Sequence, residues 1–318
     1  MKNVVTFGGG SGHTQVLVAL KNIPDIKITA VTPSTDSGGS TGILKDNYGS
    51  SGYLGDLTKC IVALSNNKNL AKALLYRYKG GPIEGHTVRN LLFFALEKTG
   101  NLKSALSVMT DICNLGIHQV LPVTDKKTEL KAQLEIGNEI SGETNIDNIA
   151  KNPLWNPNVH SIKNVYLAPS VSASRDVLAS IEEAEYIIIS PGDLYSSIIP
   201  TLLPTGIKQS IKKSGARIIL FLNIMTKQGE TDNYTASDFI NNIEKYFNAK
   251  VDYIICNNSK IPKKVILNYS LESKVELSKF VKKSDKRVSF APLAMVNKKG
   301  ALISNPKVIK NCLLKIMK

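Results

Sequence analysis

The sequence predicts an α/β protein built on an open, mostly parallel sheet with helices on both faces. Three observations carry this prediction. The chain opens on a short apolar run, Val4–Phe7, that passes at once into Gly8-Gly9-Gly10-Ser11-Gly12 and then into a segment able to continue as a helix. Strand-like and helix-like segments alternate over most of the 318 residues. The run Glu185–Ser190, with Tyr186-Ile187-Ile188-Ile189 at its centre, is apolar without alternation, as a parallel strand buried on both faces should be.

In chain order, Val4–Phe7 reads as a strand, His13–Lys21 as a helix and Lys27–Val31 as a strand ending near Asp36. A helical region spans Gly55–Gly116, with segments Leu57–Ser65, Asn69–Tyr78, Val88–Lys98 and Leu102–Leu115. Within it Leu91, Leu92, Phe93, Phe94, Ala95 and Leu96 make a broad apolar face at helical spacing. Leu121–Thr124 and Thr128–Ile136, followed by Gly137-Asn138 and Glu139–Ser141, read as a hairpin with alternating residues. Asn145–Ser161, rich in Asn and Pro, reads as a linker or surface loop. Alternation then resumes: strand Ser161–Leu167, helix Ser172–Glu183, strand Glu185–Ser190, a helix through Ile198–Leu203 leading to Ile207–Lys213, and strand Arg217–Leu222. Helix Ala236–Phe247 and strand Val251–Cys256 follow. The last strand is expected at Val288–Ala291, and a closing helix at Pro306–Met317, whose proline suits a helix start. This organisation is expected to be one domain over residues 1–318, carrying a helical insertion at 55–116 and a hairpin-and-loop insertion at 121–161.

Composition bounds the class. A hydrophobic content of 42% and a charged content of 21% are those of a globular chain. No apolar run reaches the ~18–20 residues of a membrane span. The start lacks the apolar core and cleavage site of a secretory signal. Cys60, Cys113, Cys256 and Cys312 are scattered, which argues against a zinc site or a disulfide framework and fits reduced thiols in the cytoplasm. The net charge of +14 is unevenly placed: Ser259–Lys318 holds fifteen Lys/Arg against three acids, while the first 258 residues hold twenty-five against twenty-three. The basic residues are mostly lysines without interleaved aromatics, so a solvated surface is favoured over nucleic-acid binding.

In such sheets ligands bind beyond the carboxyl ends of the strands, so the segments following each strand are the candidate site. Gly8-Gly9-Gly10-Ser11-Gly12 lets a backbone approach an oxyanion and aims free N–H groups at it. Taken alone, the same turn equally suits a ligand-free strand-to-helix connection. It is not the dinucleotide fingerprint, since His13 or Gln15 stands where the third glycine is needed, and no Gly-Lys-Ser/Thr follows. After the second strand comes Thr35-Asp36-Ser37-Gly38-Gly39-Ser40-Thr41-Gly42. There Asp36 is a candidate for ribose hydroxyls or Mg²⁺, or else a helix cap. Gly55-Asp56 and Gly85-His86-Thr87-Val88-Arg89-Asn90 each open a helix. His86 is a candidate donor to a phosphate or sugar, against a capping or core-contact role. Pro191-Gly192-Asp193-Leu194-Tyr195-Ser196 follows the apolar strand, and Asn223-Ile224-Met225-Thr226-Lys227-Gln228-Gly229-Glu230-Thr231-Asp232 follows the next.

Taken together, these loops resemble the gluconeogenesis factor family (YvcK-like), which shares a superfamily with 2-phospho-L-lactate transferase (CofD-like). Six motifs occur in order between residues 8 and 234, and Gly229-Glu230-Thr231-Asp232 points to the gluconeogenesis-factor branch. The resemblance implies a Rossmann-like three-layer α/β/α fold and a UDP-sugar ligand such as UDP-N-acetylglucosamine. It also implies a role in cell shape and cell-wall precursor supply under gluconeogenic growth, with no firm catalytic activity.

Carried over, Gly8, Gly9, Gly10, Ser11 and Gly12 would hold the diphosphate. Asp36, Ser37, Gly38, Gly39, Ser40, Gly55, Asp56, His86 and Asn90 would lie at the ligand. Gly192, Asp193, Ser196, Asn223, Thr226, Gly229, Glu230 and Thr231 would close the pocket. In the transferase branch Asp36 and Asp56 would hold Mg²⁺. The chain departs from the family pattern at Ser37 (usually Asp), at Thr58-Lys59 (usually Arg-Asn), at Arg89 (usually Gly) and at Asp193 (usually Ser). Loss of one carboxylate and one arginine argues against metal-dependent transfer to a deazaflavin precursor. The expectation is therefore a cytoplasmic protein that binds a small nucleotide-sugar, does not bind nucleic acid, has no membrane span, and is compatible with a homo-oligomer.

Overall fold

The computed structural model describes residues 1–51, 53–281 and 284–318. The first two strands, β1 (Lys2–Phe7) and β2 (Ile26–Thr32), are joined through helix α1 (Gly10–Leu20) and pair in parallel, with Val4 opposite Ile28 and Phe7 opposite Val31. Helices α2 (Gly39–Tyr48), α3 (Leu54–Leu64), α4 (Lys68–Leu74), α5 (Val88–Thr99) and α6 (Leu102–Cys113) intervene before β3 (Gln119–Pro122) joins the far side of β2. The chain then leaves the main sheet. Strands β4 (Glu129–Leu134), β5 (Glu139–Ser141) and β6 (Ile162–Ala168) make a small antiparallel sheet in the order β5-β4-β6, with α7 (Glu143–Asp147) inside the connection.

After α8 (Arg175–Glu182) the chain crosses back. Strand β7 (Tyr186–Ile189) pairs with the open side of β1, and β8 (Arg217–Phe221), β9 (Tyr253–Asn257) and β10 (Val288–Ala291) add outward from it. Helices α9 (Ile207–Ser214), α10 (Ala236–Phe247) and α11 (Lys263–Leu271) occupy the crossovers. A hairpin of β11 (Ala294–Val296) and β12 (Leu302–Ser304) leads to α12 (Pro306–Ile316). The main sheet therefore has seven parallel strands in the order β10-β9-β8-β7-β1-β2-β3. This is the three-layer, Rossmann-like arrangement that the alternating segments predict.

The pleat explains the layering. Successive strand residues point to opposite faces, so Val5, Phe7, Ile187, Ile189, Ile218 and Leu220 enter one core. Val4, Ile28, Tyr186, Ile188, Ile219 and Phe221 enter the other. The first core is closed by α8, α9, α10 and the small sheet, the second by α1, α3, α5, α6 and α12. Helix ends follow local chemistry. Asn101 with Ser104, and Thr235 with Asp238, form reciprocal capping boxes. Asn305 caps α12 with Pro306 in its first turn.

Several expectations differ from what forms. Leu121–Thr124 does not pair with the following strand; β3 is an edge strand of the main sheet, parallel to β2. The segment Ser161–Leu167 is a strand but an antiparallel one, in the small sheet. Asn145–Ser161 is not a bare linker: Ile146 and Ile149 are buried, and Trp155 stacks on His160 with ring centroids 5.5 Å apart. The stretch expected as helix through Ile198–Leu203 is a turn of π-helix, Leu194–Ile198, followed by a 3-10 turn, Ile199–Thr201. Helices α2 and α11 and the β11–β12 hairpin were not expected, because none carries a clear apolar period. No helix among the described residues is long and apolar enough to cross a membrane.

Phe7 ends β1 fully buried and meets Phe247 of α10 edge to face at 5.9 Å. Phe7→Ala should cost about 3–5 kcal/mol, read as a drop in the urea midpoint at unchanged slope.

Candidate functional site

Strand order reverses between β1 and β7: from β1 the chain proceeds to β2 on one side and later returns to β7 on the other. A crevice opens at such a point because the two connections leave in opposite directions. The turn after β1 and the turn after β7 meet there. They touch so closely that a Cβ on Gly12 would lie 2.0 Å from the Pro191 carbonyl oxygen. Gly10, at φ 65, bends the backbone into α1, whose first turn has no side-chain cap. The N–H of Gly10 donates to Asp56 Oδ1 at 3.0 Å. Asn223, just past β8, grips the second turn from both sides: its Oδ1 accepts from the Gly192 N–H at 3.0 Å, and its Nδ2 donates to the Gly192 carbonyl at 2.6 Å.

Together these turns wall a cavity of about 180 Å³. Ser11, Gly12, Gly192, Asp193 and Asn223 line it, as the sequence reading expects. Ile224 and Met225, from the candidate loop after β8, line it as well, and Gln15, Tyr269, Ile303 and Ser304 line it too and were missed. Tyr269 sits on α11 and accepts from the Leu302 N–H at 3.0 Å, tying that helix to β12. Both belong to the lysine-rich C-terminal fifth, and no motif marked them.

Asp36 and Asp56 form a second layer beside the glycine turn. A Cβ on Gly55 would fall 1.8 Å from Asp36 Oδ2, and one on Gly9 would fall 2.4 Å from Asp56 Oδ2, so both glycines make room for carboxylates. Asp36 accepts from the Gly38 N–H and from Thr41 Oγ1, each at 3.0 Å, and so fixes the turn that leads into α2. Burial and the neighbouring Asp56 hold its carboxyl above the ordinary value. Asp56 differs: burial pushes it up, but the Lys59 ammonium at 3.0 Å and the Gly10 N–H outweigh this and leave it below. Lys59 thus supplies, at Asp56, the countercharge a divalent ion would bring. With both aspartates engaged in this way, the pair is a poor fit to Mg²⁺.

Other expected site residues are joined in neighbouring networks. Ser40 Oγ lies 2.8 Å from His86 Nδ1 and accepts from Asn90 Nδ2 at 3.1 Å, while Thr58 donates to Asn90 Oδ1. Ser37 bonds Glu143 and Thr144 of the α7 segment. Burial, then Asp36, pushes the Glu143 carboxyl up to about 7. Glu230 is buried and accepts from the Tyr195 and Ser196 N–H groups and from Ser196 Oγ at 2.6 Å. Its burial and the charge of Asp193 push it up to about 8.

The polar 223–232 loop is largely satisfied within the protein. Thr226 exchanges bonds with Val275, Thr231 with Lys227, and Lys227 pairs with Asp147 at 2.8 Å and Asp193 at 3.6 Å. Thr226, Glu230 and Thr231 therefore shape the loop, and Asn223 is the member of the expected set from this loop that reaches the cavity wall. Gly229, at φ 91, lies against Ile149, which a Cβ would approach to 2.6 Å.

His13 occupies the position that excludes the dinucleotide fingerprint. It is fully buried under the turn, 2.7 Å from Thr6 Oγ1 through Nε2, with Cys60 Sγ 3.5 Å from Nδ1. Burial holds it neutral, with its pKa lowered to about 4. It is a core histidine that props the turn.

The profile of the family described as 2-phospho-L-lactate transferase CofD matches residues 4–293. The chain belongs to that family. The CofD-family relatives include a Halalkalibacterium halodurans protein named gluconeogenesis factor, 36% identical over 276 residues, covering 85% of this chain and 82% of that one. A Thermotoga maritima protein named for the same factor is 38% identical over 271 residues, covering 85% of this chain and 83% of its own. A crystal structure of a UPF0052-family protein from Bacillus halodurans superposes with a TM-score of 0.88 at 31% identity, covering 99% of this chain and all of that one. The family match ends before the C-terminal hairpin and α12, whereas the superposed structure spans 99% of the chain.

Two predictions follow from the packing of the turn. Gly12→Ala forces the β1 and β7 turns apart against backbone, so it should lower the melting temperature, checked by thermal denaturation beside wild type. Between pH 4 and 6.5 the unfolded chain protonates His13 while the folded chain does not. The histidine therefore adds a slope in which stability rises with pH across that window, on the order of 3 kcal/mol in total. Glu230 and Glu143 slope the opposite way above pH 4.5, since their raised pKa values mean the folded state holds the extra proton. The His13 share should appear as the difference between wild type and His13→Gln in denaturant melts at successive pH values.

Proposed function

We propose that this protein is a cytoplasmic sugar-nucleotide-binding regulator, with a UDP-sugar such as UDP-N-acetylglucosamine held by its diphosphate at the β1–β7 switch point. The observation that carries the reading is the cavity in which Ser11, Gly12, Gly192 and Asn223 converge from three different strand ends. Gly9, the N-cap of α1, offers no side-chain cap and the Gly10 N–H is taken by Asp56, which leaves the Ser11 and Gly12 N–H groups of the first turn to an anion. Ser190 Oγ, buried at the end of β7 beside Gly8, has no hydrogen-bond partner among the described residues. A volume of about 180 Å³ suits the diphosphate. The nucleoside and sugar would extend from it along the Tyr269 and Gln15 walls. The gluconeogenesis-factor name borne by the relatives supports a role in gluconeogenic growth; a part in cell-wall precursor supply and cell shape is what the resemblance of the loop motifs implies. Cys60, Cys113 and Cys256 are buried, and all four thiols are unpaired, which supports a reducing compartment.

The family description also raises transfer of a phospholactyl group to a deazaflavin precursor, which would use Mg²⁺ to offset diphosphate charge. Lys59 on Asp56 favours the binding reading, because a fixed ammonium already sits there.

The readings separate in a thermal-shift series with UDP-N-acetylglucosamine, UDP-glucose, GDP and NAD, each with Mg²⁺ and with EDTA. UDP-sugars should stabilise the protein equally in EDTA, by about 2.7 kcal/mol at 100 times Kd. Asn223→Ala, which frees Gly192, should weaken the response about tenfold or more. Stabilisation by GDP only, and only with Mg²⁺, would favour the transferase; no response to any UDP-sugar would end the proposal.

A further inference from the structure

A second and larger cavity, about 870 Å³, lies on the outer side of α1, between that helix, α3 and α4. It begins at Ser11 and Gln15, the two residues it shares with the candidate site, and runs toward the C-terminal end of α1. Its chemistry is different. Lys21, Lys59, Lys68, Lys72 and Arg89 line it, and no carboxylate does. Between the cations the walls are apolar, from Val18, Val62, Ala71 and Leu75.

Arg89 is the informative member. It opens α5 and is only 4% exposed, yet no carboxylate pairs with it among the described residues. Its Nη1 donates to Thr87 Oγ1 and Asn90 Oδ1, both at 3.3 Å and both neutral, and its Nε has no partner. Burial, and then Arg77, pull its pKa down to about 10 against the opposing, more distant charges of Asp56 and Asp36, so the guanidinium stays charged at neutral pH. A buried cation with long neutral contacts and an idle N–H is costly unless an anion completes it. A guanidinium offers an anion a rigid fork of donors, and phosphate oxygens match that fork. Lys59, facing the same space, is neutralised in part by Asp56; Lys68 and Lys72 are exposed along the rim, where they attract anions.

We infer that this cavity is a second ligand site, taking a small phosphomonoester whose phosphate sits on Arg89 and Lys59 and whose apolar body lies over Val18, Val62, Ala71 and Leu75. The site is separate from the diphosphate cradle, although the two meet at Ser11, so occupancy of one bears directly on the start of α1 that serves the other.

The test is calorimetric titration of the full chain with phenyl phosphate, which carries both features, and with phenol and inorganic phosphate as the separate halves. Phenyl phosphate should bind more tightly than either half. Arg89→Gln should weaken it about tenfold or more, the loss of one charged hydrogen-bonded contact. Because Arg89 is buried, circular dichroism must show the variant folded. The exposed double variant Lys68→Gln/Lys72→Gln provides an independent arm and should weaken binding severalfold and flatten its salt dependence. Asn223→Ala should weaken the UDP-glucose response about tenfold or more and keep phenyl phosphate binding, which distinguishes failure of one site from failure of the other. The inference is overturned if wild type does not bind phenyl phosphate at millimolar concentration. It is equally overturned if folded Arg89→Gln and the double lysine variant both bind it unchanged.

Discussion

The contact between the Gly12 backbone and the Pro191 carbonyl is the constraint on which the site depends. Two parallel strands that lie side by side but belong to opposite windings of the sheet send their turns into the same space. That space admits no side chain: a Cβ at position 12 would sit at 2.0 Å from the neighbouring oxygen. Everything near the crevice is arranged around this approach. His13 and Thr6 support it from below, Asn223 fixes the second turn, and Asp56 holds the Gly10 N–H. The cradle is preorganised by packing and by backbone hydrogen bonds within the protein.

Charge is distributed around this cradle in layers. Asp36, Asp56, Lys59 and Arg89 occupy one side in a partly compensated cluster, in which Asp56 is ionised by its lysine and Asp36 is pushed toward its neutral form by burial and by its neighbour. On the other side Lys227 bridges Asp147 and Asp193, with buried Glu230 behind them. The first cluster ties the glycine turn to α3. The second ties the 223–232 loop to α7, so the small antiparallel sheet is anchored to the site through charge as well as through the Ile149–Gly229 contact. The nearly neutral first 258 residues thus conceal strongly charged interior networks.

Much of the scaffold was legible. The unbroken apolar run of β7 could only be a strand covered on both faces, and glycine turns after β1 and β7 identified the end of the sheet where the crevice opens. Errors arose where the signal was shared between alternatives. Leu121–Thr124 is apolar and followed by a turn, which describes a hairpin arm as well as an edge strand; its pairing with β2 depends on helices that bring it there. The concentration of polar residues in one loop predicts Thr226, Glu230 and Thr231 at the ligand. Their bonds within the protein, which no local signal announces, go to Val275, Tyr195, Ser196 and Lys227, of which Val275 lies far along the chain and Tyr195 and Ser196 come from the preceding crossover.

By itself, the amino-acid sequence determined the layer architecture, the Gly8–Gly12 and Gly192 turns and the exclusion of a dinucleotide fingerprint. These are properties of local periodicity and backbone freedom, written within a few residues. Only the tertiary structure decided that Tyr269 and Ser304 of the lysine-rich C-terminal fifth wall the crevice, that Lys59 neutralises Asp56, and that Arg89 is buried with no carboxylate paired to it among the described residues. Those facts are distances between segments remote in the chain, and a distance of that kind is set by how helices pack on the sheet.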